Sequence, residues 1–301
     1  MIRYNTRDWF GTTFRLHKAD TFIKLLPLIL LIAGYSWAVA YFELHLHTPN
    51  DGSYLKNLSM MHTLLGLVLS LLIVFRTNTA YDRWWEGRKL WGSLTNNSRS
   101  LAIKISAMIP PEDRDTLTFF REIIPAFAIA LRNHLRDEHT RIELFDDKRS
   151  VHLKPLVEDR HIPNQIVEMM VKRVGDLHRK NVLSGESWII LNTDLQAFTD
   201  ILGGCERIKN TPIPFSYSAF IKKFIFIYVL TLPFGFVLSL GYMVVPVVSL
   251  VFYVLGSLEL IGEEIEDPFG GDPNDVPTDK IAGNIQNNVR EILPYEQITT
   301  S

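Results

Sequence analysis

Three long apolar runs without a charged residue dominate the hydrophobic pattern of this chain. They cover Leu25–Phe42, Asn57–Phe75 and Phe224–Leu258. A helix needs about 20 apolar residues to cross ~30 Å of hydrocarbon, so each of the first two runs is long enough for one crossing. The third run has 35 residues, which is too long for one crossing, and prolines and glycines interrupt it around Gly241. We therefore predict four transmembrane helices, the last two joined as a hairpin.

The region between the second and third runs is charged and amphipathic, and it is too large to be a simple connector. Apolar residues recur at helical spacing in Thr116–Leu135, Ile166–Val174 and Trp188–Ile208, whereas strand-like alternation is weak. The pattern predicts an all-α protein with a helical domain outside the membrane. A soluble all-helical protein is the alternative, but core helices seldom run this long without a charge.

Lys and Arg residues crowd the same ends of the apolar runs. They precede the first run, follow the second and precede the third, whereas the loop between the first two runs has only Lys56. Because positively charged loops stay in the cytoplasm, both termini are predicted to face it. The predicted N-terminal cytoplasmic segment covers residues 1–24, and spans 1 and 2 lie within residues 25–79. A cytoplasmic helical domain follows over residues 80–223. Spans 3 and 4 lie within residues 224–262, and an acidic cytoplasmic tail covers residues 263–301.

Composition and motifs narrow the function classes. The formal net charge is −2, so there is no basic surplus for binding nucleic acid. The single cysteine, Cys205, excludes an intramolecular disulfide and a Cys-rich zinc site, and packing is its expected role. Neither a catalytic triad nor a glycine-rich phosphate motif occurs in its usual context. We predict that the chain is not an enzyme and requires no cofactor.

Histidines near the apolar runs are weaker signals. Glu43, His45 and His47 lie together beyond the first run, but zinc takes three or four ligands and this group is a poor candidate. His62 lies inside the second run. An ionisable group within a membrane span suggests a function, although a histidine near the outer end can also simply reach the interface.

A stripe of side chains three or four residues apart extends along the second run and beyond its end. Its apolar part is Leu67, Leu71 and Phe75, and Asn78 and Asp82 continue it as polar residues. If several such helices surround an axis, the apolar part forms a narrow constriction with a polar vestibule below it. Apolar rings of this kind can gate ions by dewetting. The alternative is that the leucines face lipid or the protein core.

Three sequence segments carry a family resemblance. Residues 75–92 read FRTNTAYDRWWEGRKLWG, residues 205–214 read CERIKNTPIP, and residues 265–270 read IEDPFG. Together with the pattern of spans, these segments resemble the bacterial branch of the bestrophin family. The resemblance implies a homopentameric ion channel in the bacterial cytoplasmic membrane, with four spans per subunit. It also implies that the second spans line a central pore above a helical cytoplasmic vestibule.

The resemblance also assigns roles to individual residues. Aligned on Arg83, Trp84 and Trp85 of the family motif, the three neck residues of the pore fall on Leu67, Leu71 and Phe75. Asn78 and Asp82 are then the vestibule residues. Counted back from the Cys205 motif, a lower cytoplasmic aperture falls on Ile189, with Ile190 as the alternative one residue away. The neck assigned in this way coincides with the stripe found from the spacing of the residues.

An acidic segment after the last span corresponds to the place where animal bestrophins bind calcium. The candidate ligands here are Glu264, Asp267, Asp272 and Asp275, and carboxylate oxygens are what calcium prefers. Asp267 stands where the animal branch has an amide, and bacterial members that resemble this chain are generally not gated by calcium. A solvated acidic tail is the alternative.

The predicted function is passive conduction of monovalent ions, with other copies of the chain and membrane lipid as partners. The resemblance to bacterial members favours Na⁺ or K⁺, and Asp82 mildly agrees, whereas animal members conduct chloride. A chloride channel of the same fold therefore stays open. So do a secondary transporter, which usually shows inverted repeats, and a non-conducting membrane scaffold.

Overall fold

The computed structural model describes residues 21–45, 53–137, 151–153, 156–157 and 160–294. The rest of the predicted N-terminal segment, residues 1–20, lies outside them, as do His47 and residues 295–301. The described part of the chain contains helices and no strand, which confirms the predicted all-α class. Its α-helices are α1 Thr21–His45, α2 Ser53–Met108, α3 Arg114–Leu135, α4 Ile162–Arg179, α5 Gly185–Asn210, α6 Phe215–Leu240, α7 Val244–Glu266 and α8 Thr278–Ile292.

The chain divides into two compact units. The first comprises Met1–Arg83 and Pro212–Asp267, and its core is a cluster of buried aliphatic side chains with Phe252. In it α1 packs against α6 and α7, which also pack against each other. A 3₁₀ turn over Gly241–Met243 separates α6 from α7. Gly241 has a φ of 55°, a left-handed conformation that favours glycine.

Three stretches of the described chain are long and apolar enough to cross a membrane. They are Thr21–His45, Leu58–Met108 and Phe215–Glu266. The third stretch contains both α6 and α7. Four apolar helical segments are therefore present, with the turn at Gly241 dividing the longest apolar run.

Two helices are continuous across the predicted divisions between spans and domain. Helix α2 has 56 residues and continues through residues 79 and 80, as a single stripe from Leu67 to Asp82 requires. Helix α6 begins at Phe215, directly after Pro214, and so Lys222 and Lys223 lie inside it. Both lysines have long side chains that can reach water from the end of a span.

The second unit comprises Trp84–Thr211 and Pro268–Ser301. Its helices α3, α4 and α5 contain the three segments with helical spacing, and α4 packs against both α3 and α5. Aromatic rings fill its core, for example Phe127 and Phe198, whose ring centroids lie 4.9 Å apart in an edge-to-face contact. Cys205 is fully buried in this core, which agrees with its predicted packing role.

The segment after α7 is not a solvated tail, so this alternative is wrong for residues 268–294. Phe269 is buried, and α8 packs against α3. The buried face of α8 includes Ile281, Ile285 and Val289, which are spaced by four residues along one side of the helix. The free energy gained by burying this apolar face holds α8 on the unit, while the acidic side chains around it can stay in water.

Candidate pore-lining site

Helix α2 has two faces of opposite character in the first unit. The buried face carries His62, Leu69, Ile73, Arg76 and Ala80. At about 100° per residue, the positions of Leu67, Leu71 and Phe75 lie on the other side of the helix. These three side chains are 72%, 56% and 57% exposed in the protomer. A helix held by one face therefore presents the predicted neck residues on the other.

The exposed face of α2 continues from apolar to polar side chains. Asn78 and Asp82 are exposed and follow the line of Leu71 and Phe75. Lipid contact would satisfy the apolar part of this face, but a carboxylate is costly in hydrocarbon and prefers water. The structure thus places all five predicted residues on one surface. Their role in an ion path stays a prediction.

A buried ion cluster lies behind this face. Arg76 is only 1% exposed, its Nη1 lies 2.7 Å from Glu266 Oε2, and its Nε lies 3.7 Å from Glu259 Oε1. The guanidinium N–H groups do not align on these oxygens as hydrogen bonds, so charge attraction holds the cluster. Because Arg76 directly follows Phe75, the cluster fixes this part of α2 against α7.

The C-terminal part of α7 is paired with basic side chains on every other helix of the first unit. Glu264 pairs with Lys24 of α1, and Glu263 pairs with Lys222 of α6 at 2.8 Å. Arg83 Nε of α2 donates to the Glu266 carbonyl oxygen at 2.9 Å. In the sequence, Lys24, Lys222 and Arg83 served as orientation signals, and Arg83 also as part of the family motif, but their partners on α7 were not predicted.

His62 joins α2 to α6 inside the span. Its Nδ1 lies 2.7 Å from the Leu58 carbonyl oxygen, and its Nε2 lies 3.0 Å from Thr231 Oγ1. It also packs against Gly235, where a Cβ would come 3.1 Å from Nδ1. Both ring nitrogens are thus engaged, and the ring is buried. These contacts describe a histidine that packs between α2 and α6.

The predicted aperture residue lies in the second unit. Ile189 is in the first turns of α5, which starts after the capping hydroxyl of Ser184. Its side chain is 72% exposed, and Ile190 is 45% exposed. An apolar side chain this exposed is consistent with an aperture but also with other contacts, so its role stays a prediction.

The four acidic candidates for calcium are divided between the two units. Glu264 and Asp267 belong to the first unit, Asp272 and Asp275 to the second. Glu264 pairs with Lys24, and Asp275 Oδ2 accepts the backbone N–H of Asp272 at 2.7 Å. The three potential metal ligands that the described residues do bring together lie elsewhere in the chain. Calcium binding at the acidic segment stays a prediction.

Comparisons with known proteins agree along most of the chain. Residues 1–291 match the family described as bacterial/fungal bestrophin protein. A voltage-dependent anion channel-forming protein of Nostoc sp. is 38% identical over 230 residues, which are 75% of each chain. The Escherichia coli K12 protein of the same name is 34% identical over 224 residues, which are 74% of this chain and 73% of that one.

A solved structure has the same fold. A mutant of the bacterial bestrophin homologue from Klebsiella pneumoniae superposes with a TM-score of 0.80 at 25% identity, covering 90% of this chain and 99% of that one. The fold, the family match and the identity to the relatives therefore agree with each other. The family consists of membrane ion channels, which confirms the prediction that the chain is not an enzyme. This chain belongs to the bacterial and fungal bestrophin family of ion channels.

Proposed function

We propose that copies of this chain surround a central path lined by α2, and that monovalent ions cross it passively. The narrowest part of this path is the neck of Leu67, Leu71 and Phe75. The observation that carries the proposal is the exposed apolar face of α2, opposite its packed face, which leads into Asn78 and Asp82. Narrow apolar rings conduct when wetted and block ions when dry.

One copy cannot enclose a path, so the site is complete only in an assembly. The family resemblance implies five copies. It also implies that the chain resides in the bacterial cytoplasmic membrane. The distribution of Lys and Arg supports a cytoplasmic location for both termini. The basic residues paired with the end of α7 would then lie on that side too.

The ions that cross are proposed to be anions such as chloride. Relatives at 38% and 34% identity are named voltage-dependent anion channel-forming proteins. These names do not support the cation preference drawn from the sequence. The apolar neck carries no charge of its own, and the amide N–H₂ of Asn78 can donate hydrogen bonds to an anion. A cation channel is the second candidate, because the carboxylate of Asp82 is exposed on the same face.

The reversal potential separates these two candidates. Pure protein in a planar bilayer under a potassium chloride gradient is expected to reverse near the equilibrium potential of chloride. Reversal near the equilibrium potential of potassium would show cation selectivity and contradict the proposal that anions cross. Flux that requires a second, coupled ion and shows no unitary current steps would instead indicate a transporter.

A further inference from the structure

Three potential metal ligands from three helical segments meet in the second unit. His134 lies near the end of α3, His161 caps the start of α4, and Glu206 lies on α5. The Nε2 atoms of both histidines approach the same carboxylate oxygen, Glu206 Oε1, at 2.8 Å and 2.7 Å. The two imidazole rings meet edge to face, with centroids 4.3 Å apart.

We propose that His134, His161 and Glu206 bind a divalent transition-metal ion, most suitably zinc. Two imidazoles and one carboxylate are a ligand set that zinc accepts, with water in the fourth position. Bonds of about 2.0–2.2 Å place the ligand atoms of a tetrahedral zinc site about 3.3 Å apart. The present separations of 2.7 Å and 2.8 Å reach this value after a small withdrawal of the Glu206 carboxylate.

The surroundings suit a cation with an open position. All three side chains are about one-third exposed, at 33%, 32% and 30%, so the fourth ligand can be water. The ammonium of Lys209, which contacts the His134 carbonyl oxygen at 3.0 Å, is also held by Asp137 Oδ1 at 2.6 Å.

One hydrogen bond of the metal-free cluster has to break when zinc binds. His161 Nδ1 accepts the backbone N–H of Asn164 at 3.3 Å and so caps α4. An imidazole that binds metal through Nε2 carries its proton on Nδ1, so this capping bond is lost when zinc binds. This bond is long and therefore weak, so its loss costs less free energy than the zinc–ligand bonds supply. Without metal, the two histidines can instead donate N–H groups to Glu206, which gives a plain hydrogen-bond cluster.

Conservative substitutions at the cluster distinguish a zinc site from a plain hydrogen-bond cluster. His161→Asn removes the ligand but keeps a favoured N-cap residue, and Glu206→Gln keeps the size and one acceptor oxygen. His45→Ala is the control, because His45 is an exposed histidine at the end of α1. Untagged full-length protein is titrated with zinc chloride by calorimetry, and its melting temperature is measured with and without zinc. Cobalt(II) absorption reports tetrahedral coordination.

Zinc is expected to bind the wild-type protein and His45→Ala equally and to raise both melting temperatures. His161→Asn and Glu206→Gln should each weaken binding by about tenfold or more and lose the increase in melting temperature. The metal-free melting temperature of each variant is the reference for this comparison, because His161→Asn also loses the hydrogen bond to Glu206. Absence of zinc binding to the wild-type protein would leave a hydrogen-bond cluster only and overturn the proposal. Equal binding by all four proteins, or loss in His45→Ala alone, would also overturn it.

Discussion

Replacing Leu67, Leu71 and Phe75 together by alanine is expected to raise the unitary current of the reconstituted protein several-fold. The three side chains are the exposed apolar part of the α2 face, and shortening them widens the neck and removes the surface that favours dewetting. Because these side chains pack on little within the protomer, the fold should tolerate the change. The measurement is single-channel recording at matched voltage and salt.

A second triple variant provides the matched control. Leu30, Phe42 and Leu250 are 63%, 54% and 61% exposed on α1 and α7, and their replacement by alanine removes the same side-chain atoms from other faces of the first unit. This control should leave the unitary current unchanged. Equal currents from the neck variant and the wild-type protein would show that the neck lies elsewhere.

Replacing Arg76 by methionine is expected to destabilise the protein by about 3–5 kcal/mol, the usual cost of stranding one side of a buried ion pair. The substitution leaves the carboxylates of Glu259 and Glu266 near each other without the guanidinium. Both carboxylates are largely buried, so solvent compensates for the lost charge poorly. Unfolding of purified protein in mild detergent measures the loss, as a large fall in melting temperature.

Two further variants test whether stranded charge is the cause. Arg207→Met breaks the pair with Glu86, in which the side chains are 65% and 41% exposed, and it should cost at most about 1 kcal/mol. Adding Glu266→Gln to Arg76→Met removes one stranded charge and should restore part of the lost stability. If Arg76→Met melts like the wild-type protein, the cluster does not fix α2 against α7.

Much of the fold could be predicted from the sequence because local patterns determine it. Segments with helical spacing, such as Thr116–Leu135, correspond closely to α3 over Arg114–Leu135. The stripe from Leu67 to Asp82 likewise predicts one helix through residue 79, and α2 is continuous there. The spacing of Ile281, Ile285 and Val289 predicts a buried face on α8, but the acidic residues before it favoured a tail.

The parts that escaped prediction depend on contacts between distant segments. Arg76 and Glu266 are separated by most of the chain, and no local pattern pairs them. His134, His161 and Glu206 come from three helical segments with no motif spacing among them. The exposed stripe of α2 was different, because its residues share one helix and their relative positions follow from helical geometry alone.

The most direct test of the pore-lining face is modification of a single cysteine by a charged, water-soluble thiol reagent during recording. The native Cys205 is fully buried, and burial raises the pKa of its thiol to about 12, so the background is unreactive. In Leu71→Cys the reagent should change the unitary current at once, whereas Leu250→Cys should not respond. An unchanged current in Leu71→Cys together with a response in Leu250→Cys would contradict the proposed ion path.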